Sequence, residues 1–587
     1  MDWFRNLPAW LRVMLCGLAA LVVLVLALVY FYVLLPVWGM PFNAERHTIV
    51  PRTPPWALGC WVWEDDANTA ESTLELVNGY LEHDFPVDAV LIDSPWSLRY
   101  NDFQVDTERF PDPAGFFGGL EERDIRVVLW MTCGVNSESK DTAIEESSAW
   151  FNEAAEKGYL AGGDFQTGWW KGRGGFIDYT NPEAMLWWRG LQQQVFDWGI
   201  DGWKLDGMST LFHSRLFGKV PMPYQRTREG LMTTRGYMDH YYRDEYQHGL
   251  TQNPEFVTLA RSIDSPLPMS HPEGYAPLDA APVTWVGDNT HTFDYESRGL
   301  ERALHCILKS AELGYCVIGS DVAGYHGKEP IPADVYIRWA QFSTFCGLFL
   351  NGGHGERRMW KRSEQELELV RWCSWLHTEL RPYMYSHVVA CSQGEPPLMR
   401  PTGEHYEYLF GDAFFVSPIH SAAPAHTVHL PEGNWRWFFD DSEVIEGPTT
   451  FTQDFAMQEY PVYIRDGAII PMRVSRAYTG IGERGWEDFL TLNLYPAGEN
   501  TFTTHLADGS GKRMEVAVSQ EEGRVHINLT GDKAPHILRI LADTEPARVE
   551  LDGRALSEEQ GWRFVPEDNR LIVRTTQYEE GEYTIAW

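Results

Sequence analysis

Eight short apolar runs, separated by segments of helical character, fill residues 59–353 and constrain this chain more than any other feature. They are GCWVW (59–63), VDAVLID (87–93), IRVVLWM (125–131), GWKLD (202–206), EFVTLAR (255–261), VTWVG (283–287), YCVIGSD (315–321) and CGLFLNGG (346–353). Most are continuously apolar rather than alternating, the pattern of parallel strands covered on both faces. Stretches such as NPEAMLWWRGLQQQVFDWG and SRGLERALHCILKSAELG stand between them and end in glycine, a helix stop. The pattern predicts an α/β fold, a (β/α)8 TIM barrel over residues 56–385. The two long intervals, 132–201 and 207–254, follow the third and fourth strands and are expected to wall the top of the barrel.

The texture changes on either side. After LRPYMYSHVV (380–389), short alternating segments with turn signals, such as HTVHLPEGNWRWFFDDSEV and LADGSGKRMEVAVS, predict two C-terminal β-sandwich domains, 386–475 and 476–587. Ahead of the barrel, residues 1–40 hold a charge-free run from Val13 to Leu35. As a helix it would be about 34 Å long, enough for a hydrocarbon core of about 30 Å, and no small-residue cleavage site follows it. The expectation is one uncleaved N-terminal transmembrane helix and a Pro-rich tether over 41–55. Arg5 and Arg12 precede the span and Arg46 and Arg52 follow it. With Arg12 closest to the membrane and the N-terminal tail short, the remainder is expected on the non-cytoplasmic side.

A net charge of −35 excludes nucleic acid as a partner and argues against docking on anionic lipid by charge. The 25 Trp suit a filled core and, equally, a site for ligands with flat apolar faces and polar rims, as sugars have. The eight Cys form no CxxC pair, so they are expected to be buried free thiols rather than zinc ligands. No cofactor or metal motif is present.

In a (β/α)8 enzyme the reactive groups sit at the C-terminal ends of the strands. Those positions hold Asp93 (second strand), Asp206 (fourth), Arg261 (fifth), Asp288 just beyond the sixth, Asp321 (seventh) and His354 after the eighth. Each carboxylate alone could be a helix cap or turn residue. Together, interleaved with Arg and His, they predict an acidic pocket. Lys204 and Asp206 share one side of the fourth strand at period two, so the cation is expected to hold Asp206 ionised. Asp288 lies between Gly287 and Asn289 beside Trp285, a partly apolar setting suited to a proton-carrying acid. One charged and one protonated carboxyl are what glycoside cleavage requires.

These segments resemble glycoside hydrolase family 31. GIDGWKLDG is similar to its nucleophile segment, LARS (259–262) with TWVGDN (284–289) to its acid/base region, GSDVAGY to its D-I-G-G-F segment, and GGHGERRMW to its histidine loop. YLFGDAFFVSPI, LPEGNWRWF and YIRDGAIIP resemble its C-terminal sandwich, so the likeness covers about residues 56–510. The resemblance implies a retaining exo-acting α-glycosidase without cofactor, with Asp206 as nucleophile and Asp288 as acid/base. It implies Asp93, Arg261, Asp321 and His354 on the hydroxyls of a carbohydrate substrate, with Trp130 lining it; Lys204 and Trp285, beside the two acids in sequence, are added as substrate-site candidates. The chain departs from the family in lacking the large β-sandwich that usually precedes the barrel, in Ser209 where a Glu is common, and in its LIDSPW segment. The missing sandwich and Ser209 motivate one alternative, a catalytically inactive membrane-tethered carbohydrate-binding protein; an α-transglycosidase of the same fold is another, and the choice among glucose, galactose and xylose stays open.

Overall fold

The computed structural model describes residues 2–39, 49–207, 223–263, 274–403, 405–557, 561–576, 578 and 580–587; Ser209 lies outside them. All eight runs form strands: β1 (Cys60–Val62), β2 (Ala89–Ile92), β3 (Arg126–Met131), β4 (Gly202–Leu205), β5 (Val257–Arg261), β6 (Val283–Trp285), β7 (Ile318–Gly319) and β8 (Phe349–Asn351). They form one eight-stranded sheet in the order β7-β6-β5-β4-β3-β2-β1-β8, with every pair parallel. Between β7 and β8 the ladder thins to the Leu348 N–H on the Ile318 carbonyl at 3.3 Å and one bridge between Asp321 and Leu350. The barrel is nearly closed.

Strand β4 shows how the sequence sorts its side chains. Trp203 points outward and packs on Phe196 and Phe256, at ring separations of 5.5 and 6.3 Å. Lys204, one residue on, points inward and lies against Trp63 and Trp285 from the far strands. Period two therefore carries Lys204 and Asp206 to the interior, as the pattern predicts.

The long interval after β3 folds into a small antiparallel sheet of Gly134–Ser139, Leu160–Ala161, Thr167–Trp169 and Gly172–Ile177. After β4, beyond residues 208–222, come a hairpin (Tyr224–Thr227 with Gly230–Thr233) and the helix Thr234–Gln252. That helix is pinned to the preceding one, Pro182–Asp197, by fully buried Glu245. The Glu245 carboxylate accepts from Tyr179 Oη (2.7 Å), Trp188 Nε1 (2.9 Å), Gln192 Nε2 (2.9 Å) and the Arg189 guanidinium. A buried charge is tolerable only when satisfied in this way. The clamp matters to the site because Tyr241, on the same helix, donates to the carbonyls of Met131 (3.1 Å) and Asp206 (3.3 Å).

Downstream, a six-stranded antiparallel sheet running from Met399–Pro401 to Val462–Arg465 packs on the barrel. Phe345 meets Phe410 and Phe414 there, and Arg338 donates to the carbonyls of Phe455, Ala456 and Glu459. The last part of the chain forms a five- and a six-stranded sheet that share a separate core, including Leu492, Leu538 and Val573 from one and Val516, Ile527 and Leu529 from the other. Ile469–Met472, which the division at 475 leaves with the proximal block, pairs with Leu490–Leu494 in the distal five-stranded sheet.

At the N-terminus, Ala9–Leu34 is a helix long and apolar enough to cross a membrane, and none of it is buried. All eight cysteines are free; Cys16 on this helix is exposed and the other seven are buried. Part of the expected tether is packed instead of free, with Val50 and Thr53 buried and the Thr53 hydroxyl donating to the Pro282 carbonyl. If the Glu245 clamp orders the site as described, Arg189→Met leaves a buried carboxylate without its cation. Chemical denaturation should then show a loss of about 3–5 kcal/mol in unfolding free energy.

Candidate active site

The polar residues predicted at the strand ends converge above the barrel. The chain turns sharply after Asp206 because Gly207 adopts φ +80°, and it does so again before Asp288, where Gly287 has φ +86°. A side chain at 207 would also sit 2.6 Å from Thr132 Cγ2. Only glycine takes this left-handed conformation without strain, so each carboxylate is aimed by its neighbour.

One guanidinium joins the two acids. Arg261 Nη2 lies 3.0 Å from Asp206 Oδ1 and 3.5 Å from Asp288 Oδ1, so these oxygens are no further apart than the sum of the two distances. The other oxygen of Asp206 accepts from Trp130 Nε1 at 3.3 Å. Burial pushes the Asp206 carboxyl up, but Arg261 first, then Lys204, the Gly207 N–H and Trp130, outweigh it and hold the group below the usual carboxylate range. Arg261 in turn lies over the ring of Trp285 at 4.7 Å.

The partner of Lys204 differs from the expectation. Its ammonium bonds Asp93 at 2.6 Å in a buried pair and acts on Asp206 only through space, behind Arg261. Burial disfavours its charge, yet Asp93, Asp206 and Asp321 together raise its proton affinity above the ordinary value. The surroundings expected for Asp288 also differ. Its side chain is 44% exposed and faces a cation, because Trp285 turns its ring under Arg261 and Lys204 instead.

Asp321 is buried, and one of its oxygens has no hydrogen-bond partner among the described residues. Burial above all, with Asp288 and Asp93 adding to it against Lys204 and Arg357, pushes its carboxyl up to about 7. His354 lies at the outer edge, with Nε2 3.1 Å from Asp65 and Nδ1 2.7 Å from Asp66. Asp65, two residues past Trp63, escaped the sequence reading. It accepts from Tyr325 Oη at 2.6 Å, and burial and Asp93 push it up to about 7 against Tyr325, His354 and Lys204. Its signal was available, since the same inspection of strand ends applied to WVWEDD after β1 finds it. Trp169 had no such signal. It comes from the inserted sheet and stacks on Trp130, with ring planes 6° apart at 6.4 Å.

The family model described as "Glycosyl hydrolases family 31 TIM-barrel domain" matches residues 50–387, and its "C-terminal domain" matches 384–470. The chain belongs to glycosyl hydrolase family 31. Among family relatives, the alpha-xylosidase XylQ of Lactiplantibacillus pentosus is 25% identical over 518 residues, covering 82% of this chain and 63% of its own. Alpha-glucosidase 2 of Bacillus thermoamyloliquefaciens is 23% identical over 567 residues, covering 90% of this chain and 68% of its own. The chain thus spans less than two thirds of the length of the first of these. Among solved folds, the GH31 dextranase of Flavobacterium johnsoniae complexed with glucose superposes with a TM-score of 0.79 at 19% identity, over 92% of this chain and 71% of its own.

Within this family-31 barrel, the raised Asp321 gives a signed pH test. Its carboxyl shifts from 3.8 to about 7 on folding, so between those values the unfolded chain releases a proton that the folded chain keeps. Stability attributable to this group therefore falls as pH rises through that window. Asp321→Asn lacks the loss. The melting temperature of the variant relative to the unsubstituted protein should climb from pH 4 to pH 7 and level off above.

Proposed function

We propose that the chain is a retaining, exo-acting α-glycosidase that removes terminal α-linked sugars by double displacement. The observation that carries this reading is the sharing of one guanidinium by Asp206 and Asp288, which holds one pair of their oxygens no further apart than the lower limit of the roughly 6.5–9.5 Å of inverting enzymes and is compatible with the about 5–5.5 Å of retaining ones. The names of the family relatives support the substrate class.

Asp206, kept ionised, attacks the anomeric carbon while protonated Asp288 gives its proton to the departing glycosidic oxygen. The C–O bond breaks and an ester forms on Asp206. Asp288, now a carboxylate, takes a proton from water, whose oxygen attacks the same carbon and releases the sugar and the Asp206 carboxylate. Asp288 suits both steps because it is the more open of the two, in reach of the aglycone and of solvent. Asp93, Arg261, Asp321 and His354 bind the sugar hydroxyls; the oxygen of Asp321 that is unpaired among the described residues can accept from one of them. Hydrogen bonds of this kind count toward rate insofar as they tighten when the ring flattens. Trp130 and Trp169 give the sugar an apolar wall.

The helix Ala9–Leu34 is read as a single-pass anchor, with the barrel on the non-cytoplasmic side. Turnover of a panel of aryl α-glucosides, α-galactosides and α-xylosides tests the proposal. At least one should be cleaved with retention. Asp206→Asn should abolish turnover while the circular-dichroism spectrum is kept, and Asp288→Asn should lower it by about 10²–10⁴-fold. A fully active Asp206→Asn protein, or sugar binding without release of aglycone from any substrate, would refute it.

A further inference from the structure

The apolar helix does not simply trail from the start of the barrel. Strand β1 begins at the N-terminal end of the barrel, where the Thr53 hydroxyl meets the Pro282 carbonyl just ahead of β6 and Trp56 Nε1 meets the Glu255 carbonyl just ahead of β5. A plain tether would place the membrane at that end. The residues closing the helix lie at the opposite end. Tyr224 Oη donates to the Phe31 carbonyl at 2.8 Å, the Arg235 N–H donates to the Pro36 carbonyl at 2.8 Å, and Val37 is buried in the same core as the barrel.

Tyr224 and Arg235 belong to the segment that leaves β4 after Asp206, and such segments form the catalytic face of a (β/α)8 barrel. From Arg235 the helix runs six residues, about 9 Å, to Tyr241, which bonds the Asp206 carbonyl. The docking point is thus one short, rigid helix segment from the reaction centre. Beside it, the hairpin presents Leu231, 73% exposed, and its cross-strand partner Arg226, also exposed. An apolar side chain paired with a long cation suits the boundary between acyl chains and phosphates. It stands out in a chain whose net charge is −35.

We infer that the active-site rim after β4 is held against the membrane surface, and that the substrate is the α-linked sugar of a glycan anchored in that same membrane, such as a glycolipid. The inference rests on two parts of the proposed function, the α-glycosidase reading for the chemistry and the single-pass anchor for the orientation. Confinement to one surface raises the effective concentration of such a substrate and does nothing for a soluble sugar.

The test uses the full chain reconstituted in phosphatidylcholine vesicles. In a Cys16→Ala background, a fluorophore on Leu231→Cys should be quenched by nitroxide-headgroup lipids, whereas one on Val444→Cys, exposed on the proximal sheet, should not. Equal quenching at both positions, or none at 231, overturns the orientation. In the same vesicles, Tyr224→Phe combined with Val37→Ser should cut turnover of a glycolipid at least about five-fold and leave aryl-glycoside turnover unchanged. Equal losses on both substrates, or no loss on either, overturn the substrate class. Failure to cleave any aryl glycoside would instead strike the glycosidase reading and leave the quenching result standing.

Discussion

The guanidinium of Arg261 is the interaction on which the site depends. It is supported by the ring of Trp285 and touches both Asp206 and Asp288. Without it, two carboxylates would face each other at short range with nothing to decide which keeps a proton; its closer approach to Asp206, 3.0 Å against 3.5 Å at Asp288, favours the charge on Asp206. With it, Asp206 is held ionised despite being buried, and Asp288 stays open to the solvent side. A second buried pair, Lys204 with Asp93, lies behind the first; its cation counts for more at Asp321 and its anion for more at Asp65. The barrel supplies the rigidity this needs, since Arg261 ends one strand, Trp285 ends its neighbour, and the two residues are in register.

Much of this was legible in the sequence, for identifiable reasons. A strand buried on both faces has to be apolar throughout, so all eight barrel strands announce themselves, and period two fixes which side Lys204 faces. Strand ends in this architecture converge, so Asp93, Asp206, Arg261 and Asp321 could be grouped without coordinates. What sequence spacing does not encode is the partner across the barrel. Lys204 is two residues from Asp206 along the chain but bonds Asp93, on a strand more than a hundred residues earlier. The proximity of Lys204 in sequence also concealed that Arg261 is the stronger influence on Asp206. Trp169 reaches Trp130 from an inserted sheet whose course no periodicity predicts. The docking of residues 31–38 was hidden for a similar reason, because the apolar run reads as a membrane span whatever its end touches.

The same helix connects stability, positioning and location. Thr234–Gln252 is clamped by Glu245 in its middle, reaches the backbone of Asp206 through Tyr241, and receives the end of the apolar N-terminal helix at Arg235. The end of the apolar helix is therefore joined to the barrel by direct contacts at Tyr224 and Arg235, in addition to the chain that connects them.

The central claim is that the Asp206 carboxylate becomes bonded to sugar during turnover. The direct measurement is intact-protein and peptide mass spectrometry after incubation with a 5-fluoro-α-glycosyl fluoride, which forms the ester faster than water removes it. The account predicts the mass of one glycosyl group on the peptide containing Asp206, attached to that residue. Label on a different carboxylate, or turnover of an α-glycosyl fluoride to the β-anomer with no label at all, would contradict it.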